Sequence, residues 1–284
     1  MEPLNAAEVR QAVKLALQED IGSGDVTTLT TVPENTEAKA VMQAREELVL
    51  AGLEIAEAAF SELSPAVETT RETKDGERVS AGATLLRICG PAHALLSGER
   101  VALNFVQRLS GIATLTAQFV DAIRGTSAQI LDTRKTFPGW RHFEKYAVRC
   151  GGGRNHRMGL YDMVLIKDNH LAALRAEQGG AIAAAIQRSR QAYPNLKVEI
   201  EVDTLEQVDE ALAAGADLIL LDNMNPAQLR DAVKKCKGRA RTEASGGVSL
   251  ESVRAIAEAG VDFISVGALT HSARAVDIGL DFEL

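Results

Sequence analysis

Apolar positions recur at helical spacing over residues 6–19, where Val9, Val13, Ala16 and Leu17 fall on one face, and the pattern stops before Ile21-Gly22-Ser23-Gly24-Asp25. Short β-like runs follow at 38–44, 48–51, 67–71 and 83–89, with one helical stretch near 54–63 between them. Asp75-Gly76-Glu77-Arg78-Val79 and Ala81-Gly82 supply tight turns, so this part predicts a small α+β domain. A long helical pattern over about 94–124 carries Leu95, Val101, Leu103, Phe105, Val106 and Leu109, with Gly111 a candidate kink or break.

From Ala128 onward the pattern alternates strand and helix. Strands are predicted at 197–202, 217–221, 239–244 and 263–266, and helices at 205–213 and 226–235. A strand-to-strand spacing of about 20 to 22 residues fits successive βα units forming a parallel sheet or barrel. In a barrel the chemistry lies at the C-terminal ends of the strands. Those ends carry Asp132-Thr133-Arg134-Lys135, Lys167-Asp168-Asn169-His170, Glu199 and Glu201, Asp222-Asn223, Glu243 with Ser245-Gly246-Gly247, and Val266-Gly267-Ala268. Single strand-end charges are usually caps or solvated loops, but here five or six ends agree.

Arg134, Lys135, His156, Arg157 and Lys167 form a cationic set suited to an anionic substrate, since arginine grips a carboxylate or phosphate with two parallel hydrogen bonds. Glu201 and Asp222 form an anionic set on later strands, suited to a magnesium ion or the hydroxyls of a ribose. Ser245-Gly246-Gly247 and Val266-Gly267-Ala268, each read as opening a helix, suit phosphate because glycine permits close backbone approach.

Composition narrows the partners. The 284 residues carry a formal net charge of -8, which opposes a nucleic-acid groove or an anionic membrane as main partner and means that clustered cations need a local reason. No apolar run is long enough to span a bilayer, and Met1-Glu2-Pro3-Leu4-Asn5 lacks the layout of a secretion signal, so a cytoplasmic protein is expected. Cys89, Cys150 and Cys236 are odd in number and form no CxxC pair, the pattern of reduced intracellular thiols. Cys150 reads as a packed thiol and Trp140 as packing of its turn, while Arg141, Lys145 and Arg149, spaced by four, read as a solvated helix face.

Seven segments together carry a resemblance. They are Asp20-Ile21-Gly22-Ser23-Gly24-Asp25-Val26-Thr27, Glu99-Arg100-Val101-Ala102-Leu103-Asn104, Ser110-Gly111-Ile112-Ala113-Thr114, Asp132-Thr133-Arg134-Lys135-Thr136, Gly151-Gly152-Gly153-Arg154-Asn155-His156-Arg157, Ile166-Lys167-Asp168-Asn169-His170 and Leu221-Asp222-Asn223. In this order and spread over nearly the whole chain, they resemble the quinolinate phosphoribosyltransferases. The resemblance implies that quinolinate and phosphoribosyl pyrophosphate give nicotinate mononucleotide, pyrophosphate and CO2, with Mg2+, in NAD biosynthesis. It implies an α/β fold with a smaller N-terminal α/β sandwich (1–112), a C-terminal open, TIM-like α/β barrel of about seven strands (113–273) and a tail (274–284) packing back on the sandwich. It implies a homodimer in which Arg100 completes the neighbouring site, with assembly beyond the dimer left open. Quinolinate contacts carry over to Arg134, His156, Arg157 and Lys167, with Thr133 beside them. Contacts to the donor carry over to Lys135, Glu201, Asp222, Ser245, Gly246, Gly247, Val266, Gly267 and Ala268. Lys135, Glu201 and Asp222 take the catalytic roles, and Glu201 and Asp222 face the metal directly or through water or ribose. Glu199, two positions from Glu201 on the same strand face, is the alternative donor-site carboxylate.

The residues support such chemistry on their own terms. Two adjacent carboxylates are costly to hold together without cations, which Arg100, Arg134, Arg157 and Lys167 would supply. Positioning and charge, rather than a covalent nucleophile, are expected to carry the rate. Two other classes fit the pattern: a related phosphoribosyltransferase for another small anionic acceptor, and a non-enzymatic barrel that binds a phosphorylated metabolite.

Overall fold

The computed structural model describes residues 3–174 and 180–283. Met1 and Glu2 of the N-terminal stretch, and Leu284 at the end of the tail, lie outside the described residues. The chain forms two compact units: residues 1–117, 138–152 and 272–284 make the first, and 118–137 with 153–271 the second. The segment 138–152, expected within the barrel half, clusters with the first unit.

In chain order the elements begin with α1 (Ala6–Ile21), α2 (Val26–Thr31), β1 (Glu37–Ala44), β2 (Leu48–Val49), α3 (Leu53–Leu63), β3 (Glu68–Arg71), β4 (Arg78–Val79), β5 (Thr84–Pro91) and α4 (Ala92–Ala122). Then come β6 (Gln129–Leu131), α5 (Arg141–Cys150), β7 (Val164–Ile166), α6 (Asp168–Ala173), α7 (Ala181–Ala192), β8 (Val198–Val202), α8 (Leu205–Ala213) and β9 (Leu218–Asp222). The chain closes with α9 (Pro226–Cys236), β10 (Arg241–Ser245), α10 (Val253–Glu258), β11 (Phe263–Ser265), α11 (Ala268–His271) and β12 (Ile278–Glu283).

The first unit is built on a four-stranded antiparallel sheet, ordered β12-β1-β5-β3, with a two-stranded β2-β4 ladder beside it. Asn5 caps α1 by accepting the amides of Ala7 and Glu8, and the predicted apolar face, Val9, Val13 and Leu17, is buried. The short helix α2, not expected from the sequence, is capped by Asp25, which accepts the Thr28 amide at 3.0 Å. Gly111 does not break α4, which runs unbroken through it. A Cβ at Gly111 would stand 2.0 Å from the Arg274 carbonyl oxygen, so this glycine serves close backbone approach rather than a kink. The solvated face expected of α5 is also corrected: Lys145 is fully buried, as is Glu144, which receives the Arg108 guanidinium at 2.9 Å. Trp140 stacks on Phe105 at 4.7 Å between centroids, a packing role.

The second unit is one parallel sheet in the order β6-β11-β10-β9-β8-β7. Its two edge strands are the first two in sequence, so the barrel stays open between them. Six strands are present among the described residues; a single parallel bridge, Leu131 to Arg154, stands where a seventh was expected. The strands read as near-continuous apolar runs because a parallel sheet is covered on both faces: Val198, Ile200, Ile219, Leu221 and Ile264 are buried.

Candidate active site

All six strands of the second unit end around one cavity of about 920 Å³. It is lined by Thr133, Arg134 and Lys135 after β6, His156 and Arg157 before β7, Lys167 after β7, Glu201 of β8 and Asp222 of β9. Ser245, Gly246 and Gly247 follow on β10, and Gly267 and Ala268 come after β11. Of the predicted site residues, two stand elsewhere. Val266 is buried, its amide donating to the Leu131 carbonyl, and does not line the cavity. Arg100 lies exposed on α4 in the first unit.

The loop after β6 is fixed locally. The Lys135 amide donates to Thr133 Oγ1 at 3.0 Å, and Thr270 Oγ1 donates to the Lys135 carbonyl at 2.8 Å. The aliphatic part of Lys135 runs over Gly267, where a Cβ would come within 3.0 Å of its Cδ. Asp132, fully buried, holds the opposite wall: its two oxygens accept the His156 amide at 2.9 Å and Asn155 Nδ2 at 2.6 Å.

The cations crowd one another. Burial, and then the neighbouring Arg134, lower the pKa of the Arg157 guanidinium, which anchors one nitrogen on the Met163 carbonyl at 3.1 Å. Arg134 Nε is buried without a hydrogen-bond partner. A wall with an unmet donor and repelling positive charges is set up to receive an anion.

On β8, Glu199 and Glu201 share a face, as their spacing required, but at different depths. Glu201 lines the cavity and lies 3.6 Å from Lys167 Nζ, whereas Glu199 is fully buried. Burial raises the pKa of Glu201; Lys167 opposes that shift and Asp222 adds to it. The glycine turn after β10 departs from expectation, because it bends without opening a helix and α10 begins only at Val253. Its shape comes from Asn223, itself in the left-handed region (φ 53°), whose amide donates to the Ser245 carbonyl. At Gly246 (φ +97°) a Cβ would stand 2.2 Å from Asn223 Oδ1, so only glycine fits.

Sequence reasoning assigned no role to Glu243, Ser265, Asn223 or His271, all of which line the cavity. Glu243 precedes Ser245 by two positions on β10, the same period that relates Glu199 to Glu201, and that was the available signal. Ser265 Oγ donates a short hydrogen bond to Glu243. His156 Nε2 lies 3.0 Å from Glu199 and 3.5 Å from Glu243, and burial pushes both carboxyls well above the usual range. His170 accepts the Lys167 amide on Nδ1 at 2.9 Å. Cys150 is a buried thiol pushed up to about 12 by burial, in keeping with a packed role.

The fold and the site define an open parallel α/β barrel that gathers cations, paired carboxylates and glycine turns at the C-terminal ends of its strands. The chain belongs to the quinolinate phosphoribosyl transferase family, whose N-terminal domain matches residues 25–110 and whose C-terminal domain matches residues 112–281. It is 44% identical over 282 residues to a probable nicotinate-nucleotide pyrophosphorylase [carboxylating] of Bacillus subtilis, covering 99% of this chain and 96% of that one. It is 47% identical over 278 residues to the nicotinate-nucleotide pyrophosphorylase [carboxylating] of Mycobacterium leprae, with 96% of each covered. The solved nicotinate-nucleotide pyrophosphorylase of Francisella tularensis superposes with a TM-score of 0.93 at 38% identity, over 99% of this chain and 98% of that one.

Proposed function

We propose that this chain transfers the phosphoribosyl group of phosphoribosyl pyrophosphate to quinolinate, releasing pyrophosphate and CO2 and forming nicotinate mononucleotide for NAD biosynthesis. The observation that carries this reading is the division of one cavity into a cationic wall, Arg134, Arg157 and Lys167, and a wall of carboxylates and glycine turns. The relatives' carboxylating and pyrophosphorylase names agree with it.

In this reading Arg134, Arg157 and Lys167 bind the two carboxylates of the acceptor and aim its ring nitrogen at the ribose. Lys135 stabilises the charge of the departing pyrophosphate, and the turns at Gly246 and Gly267 let backbone approach the phosphates. Glu201 and Asp222 accept hydrogen bonds from the ribose hydroxyls. The positive ribosylated ring nitrogen then stabilises the electron pair left on the adjacent ring carbon as its bond to the carboxylate breaks; CO2 leaves, that carbon takes a proton from water, and no covalent enzyme intermediate forms.

Magnesium fits the donor side. Burial raises the pKa of Glu201 and the neighbouring Asp222 adds to the rise, with Lys167 opposing, and a hard cation there would be held by these carboxylates together with phosphate oxygens. When bound it would neutralise charge on the leaving pyrophosphate. The active unit in this reading is a homodimer, with Arg100 reaching the neighbouring subunit's acceptor wall. A cytoplasmic setting is supported by three free cysteines and by the lack, among the described residues, of any helix long and apolar enough to cross a membrane.

The test is direct. The purified chain is mixed with quinolinate and phosphoribosyl pyrophosphate, with and without Mg2+, and CO2, pyrophosphate and mononucleotide are quantified. Stoichiometric formation of all three supports the reading. Turnover of a different pyridine acid in preference to quinolinate, or tight donor binding with no product, would replace it.

A further inference from the structure

Beneath the cationic wall lies a buried polar chain that the reaction does not use directly. His156, with an 8% exposed side chain, bridges over β9 to reach carboxylates on both neighbouring strands. Its ring orientation is settled by two contacts. Nδ1 accepts the backbone amide of Arg157 at 2.7 Å, so in the neutral ring the hydrogen sits on Nε2, which donates to Glu199 Oε2 at 3.0 Å. Glu243 lies 3.5 Å from the same nitrogen and is held in turn by Ser265. Asp132 fixes the His156 backbone from the other side. Both ring nitrogens are therefore engaged by protein groups, and neither is left to grip an acceptor carboxylate.

We infer that His156, Glu199, Glu243 and Ser265 form a positioning network for Arg157, acting on the acceptor through that arginine rather than by contact. The geometry gives the reason. Arg157 is the next residue along, its amide is tethered to the imidazole, and its guanidinium donates to the Met163 carbonyl. A rotation of the imidazole shifts the Arg157 backbone, and a carboxylate grip depends on sub-ångström placement. Glu199 sits directly under Glu201 on β8, yet it serves the acceptor wall and not the donor side.

This inference rests on the acceptor reading above, so wild-type turnover of quinolinate is measured first; its failure would sink that reading and not this one. Steady-state kinetics are then run on Glu199→Ala, Glu199→Gln, Arg157→Ala and the Arg157→Ala/Glu199→Ala double variant. Glu199→Ala is expected to raise the acceptor KM about tenfold with the donor KM held within about twofold, and Glu199→Gln to recover most of that loss. The double variant is expected to lie within about twofold of Arg157→Ala alone, because a positioning residue has nothing to position once its target is gone. Losses that multiply in the double variant, or equal shifts in both KM values, would overturn the inference. So would a stoichiometric metal ion in the purified chain that disappears in Glu199→Ala, since the three ligand atoms lie within 4.8 Å of one another and would then be a metal site.

Discussion

Lys167 Nζ stands 3.6 Å from Glu201 Oε2, joining the cationic wall to the carboxylate wall at the adjacent ends of β7 and β8. In the proposed reading, a cation that binds the acceptor is thus held, before binding, by a carboxylate that serves the donor, and the two half-sites meet at this pair.

Replacing Glu201 with Gln is expected to raise the donor KM and lower kcat, together about 10- to 100-fold, while acceptor affinity holds or improves because Lys167 is released. The wild-type pKa of Glu201 is raised, so the acid limb of the rate profile begins above an ordinary carboxylate's range and flattens in Glu201→Gln. A pH series of kcat/KM for the donor reads this out.

Arg134 has a buried Nε without a partner, which a bound carboxylate can satisfy. Arg134→Lys keeps the charge and loses the fork, so kcat/KM for the acceptor should fall by roughly 10- to 100-fold with the donor KM little changed. Equal activity in the lysine variant would show that charge alone suffices.

Gly246→Ala puts a methyl 2.2 Å from Asn223 Oδ1 at a backbone angle that alanine resists. The turn must open, and the donor KM should rise at least about tenfold, with overpacking costing about 1–3 kcal/mol in thermal unfolding. Calorimetry beside donor-dependence kinetics separates the two effects.

Glu46 accepts the Arg274 guanidinium and the Asp277 amide, which hold its pKa down at about 2. A lowered folded-state value means that this contact stabilises above the usual 4.5 and is lost as pH falls from there towards about 2. Glu46→Gln should therefore destabilise at neutral pH by no more than about 1 kcal/mol, the contact being near the surface, and be neutral near pH 2. Urea titrations at several pH values check the window.

Mixing Arg100→Ala subunits with Lys135→Ala subunits should recover up to about a quarter of wild-type activity, since random pairing gives half mixed dimers with one intact site each. Mixed samples as inactive as either parent would remove Arg100 from the neighbouring site.

Much of the second unit was legible because parallel strands buried on both faces announce themselves as apolar runs, and their polar ends follow by elimination. Leu205–Ala213 was placed to the residue, and Arg134, Lys135, Lys167, Glu201 and Asp222 were found at a common rim. Shorter elements such as α2 escaped, because six residues give too few turns for periodicity to register. Lys145 was read as solvated because charge argues for water unless a partner is known, and spacing along a helix does not reveal what packs on it.

The chain's own order of residues determined which strands exist, which side chains alternate on each face and which chemistry their ends offer, since those follow from local backbone geometry. Depth and partnership were decided only by the folded sheet. Glu199 and Glu201 are indistinguishable in sequence, yet one is closed beneath His156 and the other opens on the cavity, because β10 brings Glu243 to the first level and β9 brings Asp222 to the second. His156 itself looked like a ligand for an anion. A hydrogen bond to Glu199, 43 residues away, and the approach of Glu243, 87 residues away, place it between two other strands, which is the basis of the support role inferred above.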